Sequence, residues 1–324
     1  MIENNTLCVI IPTYNDGDLL RDTIEGIPDF IDKIIVINDG CNEDSAKIID
    51  GAIKKDSRVE MILHQKNMGL GQSLIDGYLK SLESKFDITI VMAGDNQMSP
   101  NDLNRVISPI LANDSDYVKG NRLLRDDVID RMPFYRFIGN SVLTLLSKIA
   151  TGYWKIIDPQ CGYSAISYKA LKSIRIGDMI KGYGYNAHIL NMLNLNNFRV
   201  VDVEVEPVYG DEKSKIKIMS YIFTVSRLLT RLTFRRIIRK YLIVEFHPLI
   251  FFYFFGFFNC FFISLPLVVR FFYKLLTTGF LPQTTLLVTF FSFSIGMLSI
   301  FLGMWLDMED NKRLVGKASK EINY

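Results

Sequence analysis

The stretch Ile88-Thr89-Ile90-Val91-Met92-Ala93-Gly94-Asp95-Asn96-Gln97 decides how this chain is read. Its first half is an apolar run of strand length, as expected of a strand buried on both faces of a sheet. Asp95 stands just past the carboxyl edge of that strand, where ligands of open α/β sheets collect. Gly94 beside it lets a ligand approach the backbone closely. A carboxylate in this place suits a divalent cation carrying a diphosphate.

Outward from this stretch, apolar runs at residues 7–12, 33–38 and 59–64 precede the run at 88–92, and helical patterns fill 18–26, 43–55, 71–84 and 101–111. Such βαβ alternation predicts a mostly parallel sheet covered on both faces. The pattern is then less regular. It gives a short strand at 116–119, a helix near 135–150, a strand or turn at 162–167, a helix at 185–195 and an alternating strand at 199–207, with no internal repeat. A length of 324 residues accommodates one large α/β domain and an appendage. The net charge of +2 says little about partners, and no nucleic-acid partner is expected. Cys8, Cys41, Cys161 and Cys260 lack C-x-x-C spacing, so a reducing compartment fits better than a disulfide framework or a zinc site. Residues 1–6 show no basic segment leading into an apolar stretch, so no cleaved signal peptide is expected.

The character changes at Lys215. Residues 216–241 have helical periodicity, with Arg227, Arg231, Arg235 and Arg239 on one face and Val225, Leu228, Leu229 and Leu232 on another. An apolar face with a cationic stripe reads as a helix lying on an anionic bilayer, or more plainly as a surface helix with a solvated charged face. Residues 248–269 and 281–306 carry no charge, and each exceeds the roughly 20 residues needed to cross a hydrocarbon core. Arg227, Arg231, Arg235, Arg236, Arg239 and Lys240 precede the first stretch, and Lys312, Arg313, Lys317 and Lys320 follow the second, against Arg270 and Lys274 between them. The positive-inside rule then places a two-helix hairpin in the cell membrane, with the large domain and both termini in the cytoplasm.

Four strand-end segments carry the chemistry: Pro12-Thr13-Tyr14-Asn15-Asp16, Asn38-Asp39-Gly40, Asn67-Met68-Gly69-Leu70-Gly71 and the Asp95 segment. Pro12, Tyr14 and Asp39, with Asn15 and Asp16, offer an aromatic face and carboxylates to a base and ribose. Asn67, Gly69 and Gly71 form a small-residue loop entering a helix, whose free N–H groups favour a diphosphate. In this order the segments resemble family 2 glycosyltransferases of the GT-A fold, and among them the polyprenyl-phosphate glycosyltransferases such as dolichyl-phosphate mannose synthase and its bacterial relatives. The resemblance covers roughly residues 7–215, and the apolar hairpin extends it.

The resemblance implies an α/β, Rossmann-like GT-A catalytic domain (1–215), amphipathic interfacial helices (216–246), two transmembrane helices (247–307) and a cytoplasmic tail (308–324). It also implies Mg²⁺ or Mn²⁺ at Asp95. The family usually shows Asp-x-Asp here, and this chain has Ala93 in place of the first Asp, with Gln97 as a further ligand. The missing carboxylate should weaken metal affinity in the free protein, and it leaves open a catalytically inactive nucleotide or lipid binder. A lipid monophosphate has a second pKa of about 6 and is largely dianionic near neutral pH, so it needs cations more than a base. Candidate cations are Lys119, Arg122, Arg131, Arg136 and Lys215. By resemblance, Arg122, Ser214 and Lys215 contact donor and acceptor phosphates. Arg131 and Arg136 serve the acceptor phosphate or face solvent and lipid headgroups. An acidic residue of this region is the base in hydroxyl-directed relatives, and Asp158 is read as that base, as the holder of a cation of the acceptor site, or as a turn residue before Pro159. His188 receives no catalytic role. The reading is a metal-dependent inverting glycosyltransferase moving a sugar from a nucleotide-sugar to polyprenyl phosphate. The same-fold alternative glycosylates a hydroxyl of a lipid-linked saccharide or surface polysaccharide. Homo-oligomers are possible, and the loop at 209–217 reads as a mobile cover over the diphosphate.

Overall fold

The computed structural model describes residues 2, 4–122, 134–158, 161–182, 184–206, 218–279 and 282–318, with the backbone alone at 134–140 and 218–222. The chain divides into two compact units, Met1–Thr233 with Arg313–Tyr324, and Phe234–Lys312.

The first unit is built on one seven-stranded sheet: β1 (Leu7–Thr13), β2 (Lys33–Asp39), β3 (Val59–His64), β4 (Ile88–Val91), β5 (Tyr117–Asn121), β6 (Ser164–Ser167) and β7 (Val200–Glu204). The order is β3-β2-β1-β4-β6-β5-β7. β3, β2, β1 and β4 run parallel, β6 runs antiparallel between β4 and β5, and β7 runs parallel to β5. Both faces of the sheet are buried, which is why its strands read as continuous apolar runs. Leu7, Val9 and Ile11 of β1 join one hydrophobic cluster, and Cys8 and Ile10 join the other. The helices are α1 (Asp18–Glu25), α2 (Glu43–Lys55), α3 (Leu70–Ser84), α4 (Leu103–Leu111), α5 (Phe134–Thr151), α6 (Tyr168–Ser173), α7 (Tyr185–Leu195) and α8 (Ile218–Arg236). Local chemistry sets their ends. At α2, Asn42 caps the Ser45 N–H at 3.1 Å, acidic residues open the helix and Lys54 and Lys55 close it.

The ambiguous segment at 162–167 is a strand. Its antiparallel insertion puts the end of β5 on the same sheet edge as the ends of β1, β2 and β4, because Ser164 pairs with both Val91 and Lys119. The apolar side of α8 corrects an expectation. Val225, Leu229 and Leu232 are buried in one cluster with Ala150 and Ala187, so that face is turned into protein and not towards a bilayer. Arg227, Arg231, Arg235 and Arg239 are exposed, as is Phe223. After Asn311 the chain returns to the seven-stranded sheet: Leu314 enters the core, Val315 bridges Val200 in parallel and the Gly316 N–H donates to the Val200 carbonyl at 2.9 Å.

The second unit contains two long apolar helices, Leu249–Thr278 and Gln283–Leu314, of 30 and 32 residues, mostly exposed along their apolar lengths. The first comprises α9 (Leu249–Phe257), a π-helical segment (Phe258–Ser264) and α10 (Leu265–Thr278), and the second begins with α11 (Gln283–Asn311). Small residues line the buried face of α11, namely Ser292, Gly296, Ser299 and Gly303, and they permit the close approach typical of helices packed in lipid. Ser292 Oγ donates to Asn259 Oδ1 at 3.3 Å. Near the polar end of this unit, Arg236 donates both Nη atoms to Asp307 at 2.7 Å, Tyr241 donates to Asp307 at 2.6 Å and Lys240 reaches Asp310 at 2.9 Å. Arg236 and Lys240 are therefore matched by carboxylates and are not bare flanking cations.

Candidate active site

Changes of winding direction in an open sheet leave a crevice at the strand ends. In this chain the change falls between β1 and β4, whose carboxyl ends carry the Pro12–Asp16 and Asp95 segments. A cleft of about 340 Å³ lies there, lined by Pro12, Thr13, Tyr14, Asp16, Asp39, Asn67, Gly69, Leu70, Ser73, Ala93, Gly94 and Asp95. A larger open groove of about 1080 Å³ runs along α1 and α2. Its lining balances Asp18, Glu25, Asp44 and Asp56 against Arg21, Lys47, Lys55 and Arg58 and includes neither Asp39 nor Asp95, so the smaller cleft is the candidate site. Asn15 borders the cleft entrance with its backbone in the left-handed region at φ 60° and its side-chain oxygen accepting the Asn42 N–H at 2.7 Å. Asp16 accepts the Thr13 hydroxyl at 2.7 Å. Tyr14 lines the cleft and is 51 % exposed.

Asp39 is 4 % exposed and its carboxylate is engaged within the protein. Oδ1 accepts the Met68 N–H at 2.8 Å and faces His64 Nδ1 at 2.7 Å, and Oδ2 accepts the Gly69 N–H at 2.9 Å. His64 Nε2 in turn faces Asp76 on α3 at 3.0 Å. The Gly71 N–H donates to the Lys181 carbonyl at 3.0 Å, and a Cβ at Gly71 would stand 2.3 Å from the Ile180 carbonyl oxygen. The expected free N–H groups of this loop are thus corrected: those of Gly69 and Gly71 already have acceptors. The loop's glycines serve close packing and, at Gly69, a φ of +90°.

Asp95 follows β4, and its Oδ1 accepts the Gln97 N–H at 3.1 Å. Among the described residues no three His, Cys, Asp or Glu side chains gather closely enough to cage a metal. The donor set fits a hard cation held by one carboxylate, with a side-chain amide at Gln97 nearby in sequence and substrate phosphate oxygens completing the shell. Mg²⁺-type sites are commonly built in that way.

On the same sheet edge, the chain just after β5 meets the segment before β6. Arg122 Nε donates to Asp158 Oδ2 at 2.9 Å, and Asp158 Oδ1 accepts the Cys161 N–H at 3.1 Å. Asp158 is 3 % exposed, whereas the Arg122 side chain is 42 % exposed. Lys119 is removed from the candidate phosphate contacts. It is fully buried, donating to the Cys161 carbonyl and, at 3.2 Å, to Asn186 Oδ1, and burial lowers its ammonium pKa. His188 is buried and its Nδ1 accepts the Ile180 N–H at 3.1 Å, a structural contact. Arg131, Ser214, Lys215, the loop at 209–217 and the side chain of Arg136 lie outside the described residues.

Sequence reasoning missed Asp202, His64 and Asp76. Asp202 Oδ2 accepts the Ile157 N–H at 2.7 Å and Asn121 Nδ2 at 3.0 Å, and burial pushes its pKa up to about 7. A lone Asp among the valines of residues 200–205 was the available signal.

A sequence profile described as Glycosyl transferase family 2 matches residues 8–175. A UDP-N-acetylglucosamine–dolichyl-phosphate N-acetylglucosaminyltransferase of Methanococcus voltae is 27 % identical over 216 residues, covering 63 % of this chain and 86 % of the relative. An undecaprenyl-phosphate mannosyltransferase of Micrococcus luteus is 26 % identical over 211 residues, covering 63 % and 85 %. Among solved structures, glucosyl-3-phosphoglycerate synthase from Mycobacterium tuberculosis, crystallised with Mn²⁺, UDP and glucosyl-3-phosphoglycerate, superposes with a TM-score of 0.53 at 17 % identity over 72 % of this chain and 80 % of that one. That likeness supports the GT-A fold. With the profile spanning more than half of its length, the chain belongs to glycosyltransferase family 2.

Proposed function

We propose that the protein transfers a sugar from a nucleotide-sugar to a polyprenyl phosphate at a membrane, with inversion at the anomeric carbon. The names of the relatives support the acceptor class, and the state of Asp158 carries the choice of phosphate over hydroxyl. A general base needs an oxygen turned towards the attacking group. Asp158 is buried and gives its oxygens to Arg122 and to the Cys161 N–H. That arrangement supports the cation-holding role, with Asp158 steadying a half-exposed guanidinium on the edge that carries Asp95.

In the proposed step an oxygen of the acceptor's dianionic phosphate forms a bond to the anomeric carbon. The bond from that carbon to the diphosphate oxygen breaks, and its electron pair leaves with the nucleoside diphosphate. No proton is removed, so no base is required. Tyr14, Asn15 and Asp16 would hold the nucleoside, the Asp39-anchored loop of Asn67, Gly69 and Gly71 would shape the donor pocket, and Arg122 would receive the acceptor phosphate. Ser214 and Lys215 keep their assignment to phosphates on the strength of the resemblance, and Arg131 and Arg136 remain candidate cations for the acceptor phosphate. Asp95 and Gln97 would hold Mg²⁺ or Mn²⁺, which when bound neutralises charge on the leaving diphosphate.

The domain division at 215, 246 and 307 and the cytoplasmic orientation belong to the same proposal. Two long, mostly exposed apolar helices support a membrane hairpin, and the exposed Arg face of α8 supports contact with anionic headgroups. The test is a donor screen on the full chain in detergent with Mn²⁺ or Mg²⁺ and a short polyprenyl phosphate, with products read by mass. A lipid-phosphate-sugar product lost in Asp95→Ala and Arg122→Ala is expected. A base contributes about 10²–10⁴ in rate, so Asp158→Asn retaining about a tenth of the activity excludes the base role. A dead Asp158→Asn with an active hydroxyl acceptor would overturn the phosphate reading, and nucleotide binding without any product would favour the inactive binder.

A further inference from the structure

Three groups behind the Arg122–Asp158 pair have no part in the step just described: Asp202 on β7, Asn121 at the end of β5 and the buried Lys119. Their contacts share a pattern. Asp202 Oδ2 accepts the N–H of Ile157, the residue before Asp158, at 2.7 Å. The same oxygen accepts Nδ2 of Asn121, the residue before Arg122, at 3.0 Å. One carboxylate oxygen therefore ties together the two segments that present the pair. Lys119, which stands opposite Asp202 in the β5–β7 register, donates to the carbonyl of Cys161 and so holds the far end of the Asp158 turn. The second oxygen of Asp202, Oδ1, is buried with no hydrogen-bond partner among the described residues. Burial without full satisfaction is costly, and such groups call for an explanation.

We propose that Asp202 is a positioning residue that sets the spacing between Arg122 and Asp158, and through them the seat of the acceptor phosphate. The proposal rests on the acceptor-phosphate reading above. The anion is the stronger acceptor for the Ile157 and Asn121 donors, and burial brings its protonation to about pH 7. The groups facing it are Lys119 and Tyr117 from β5, Asp158 from the turn and Asn121 beside them. As pH falls through about 7 Asp202 loses its charge, which relieves the cost of burying it and stabilises the fold as a whole but weakens its two bonds to the segments, so the acceptor seat widens locally.

The experiment uses the full chain in detergent and compares Asp202→Asn with wild type between pH 6 and 8. Amide hydrogen exchange is followed over residues 153–163, with steady-state kinetics against polyprenyl phosphate and nucleotide-sugar. Losing one charge-assisted bond from a buried cluster should raise the acceptor KM about tenfold at pH 8. The donor KM stays unchanged, exchange quickens at Ile157 and Cys161, and the melting temperature does not fall. The wild-type acceptor KM should also rise as pH falls through about 7, and that step should be missing from the variant. Protonation of the acceptor's own phosphate is common to both proteins and cancels in the ratio. Unchanged exchange with an unchanged acceptor KM overturns the proposal. So does a lowered melting temperature with faster exchange throughout β5, β6 and β7, which would mark a merely structural residue. If wild type transfers nothing to polyprenyl phosphate, the function reading fails on its own, and the exchange at Ile157 still decides whether Asp202 holds the turn.

Discussion

Replacing Asp39 with asparagine removes one charge and one acceptor oxygen while keeping the shape of the side chain. In the native protein this carboxylate serves three donors, His64 Nδ1, the Met68 N–H and the Gly69 N–H. An amide oxygen can still serve His64 and Met68, but the amide NH₂ then faces the Gly69 N–H, donor against donor. A buried N–H without an acceptor costs about 1–3 kcal/mol. Loss of charge also roughly halves the worth of the two remaining bonds. The sum is on the order of 3 kcal/mol, about two powers of ten in the local opening equilibrium. Amide exchange on the full chain should show residues 68–73 losing about a hundredfold in protection, while the strands of β1 and β4 keep theirs. The nucleotide-sugar KM should rise in step, because Asn67 and Gly69 line the same cleft. His64→Ala, which touches Asp39 and Asp76 but does not line the cleft, should give a weaker version of both effects. Unchanged exchange at 68–73 together with weakened donor binding would refute this reasoning and make Asp39 a direct ligand of the nucleotide.

Ala93→Asp adds a second carboxylate to the cleft and should tighten Mn²⁺ binding in the absence of donor by about tenfold, as read by calorimetric titration. Asp202 has a native pKa raised from 3.8 to about 7, so its stabilising contribution is full at low pH and is lost as pH rises towards 7. The melting temperature of Asp202→Asn relative to wild type should therefore climb between pH 5 and pH 8, and a flat difference would contradict the raised pKa. Arg236→Met leaves Asp307 buried without its bidentate partner and should cost about 3–5 kcal/mol, most of it recovered in Arg236→Met/Asp307→Leu, as measured by thermal unfolding in detergent. Thiol labelling of Thr278→Cys and Lys317→Cys from opposite sides of sealed vesicles should reach the two positions from different sides. Labelling of both from one side would remove the hairpin.

The parallel half of the sheet was legible because two buried faces force uninterrupted apolar runs of strand length, alternating here with helical patterns. Asp95, Tyr14 and Asp16 were legible because their positions follow directly from strand ends. Residues whose work lies in tertiary contact were not. Asp39 looks like a ligand group in sequence, yet its bonds to Met68 and Gly69 arise only when β2 lies beside the loop after β3. Asp202 alternates with Val201 and Val203 as a solvent-facing residue would, and only the turn before β6, folded back over β7, turns its side of the strand inward. The apolar stripe of α8 misled for a related reason. A stripe buried on a neighbouring helix and one dissolved in lipid have the same periodicity, and Ala150 and Ala187 decide between them.

Chain connectivity bears on the proposed hairpin independently of charge. Flanking cations point to a hairpin, but Arg236 and Lys240 are matched by Asp307 and Asp310, so part of that bias is neutralised in the folded chain. Connectivity does not depend on charge. The chain leaves the catalytic unit after Thr233 and belongs to it again from Arg313. Val315 pairs with Val200 at the free edge of β7. A segment that must reach the same sheet on both sides of an excursion can cross a bilayer only an even number of times. Two helices of 30 and 32 residues meet that condition, and a single crossing would strand Val315 and Gly316 away from β7. The pairing at Val200 therefore fits two crossings or none and disfavours one, and in the proposed membrane arrangement the exposed arginines of α8 bear on which side the first unit would face.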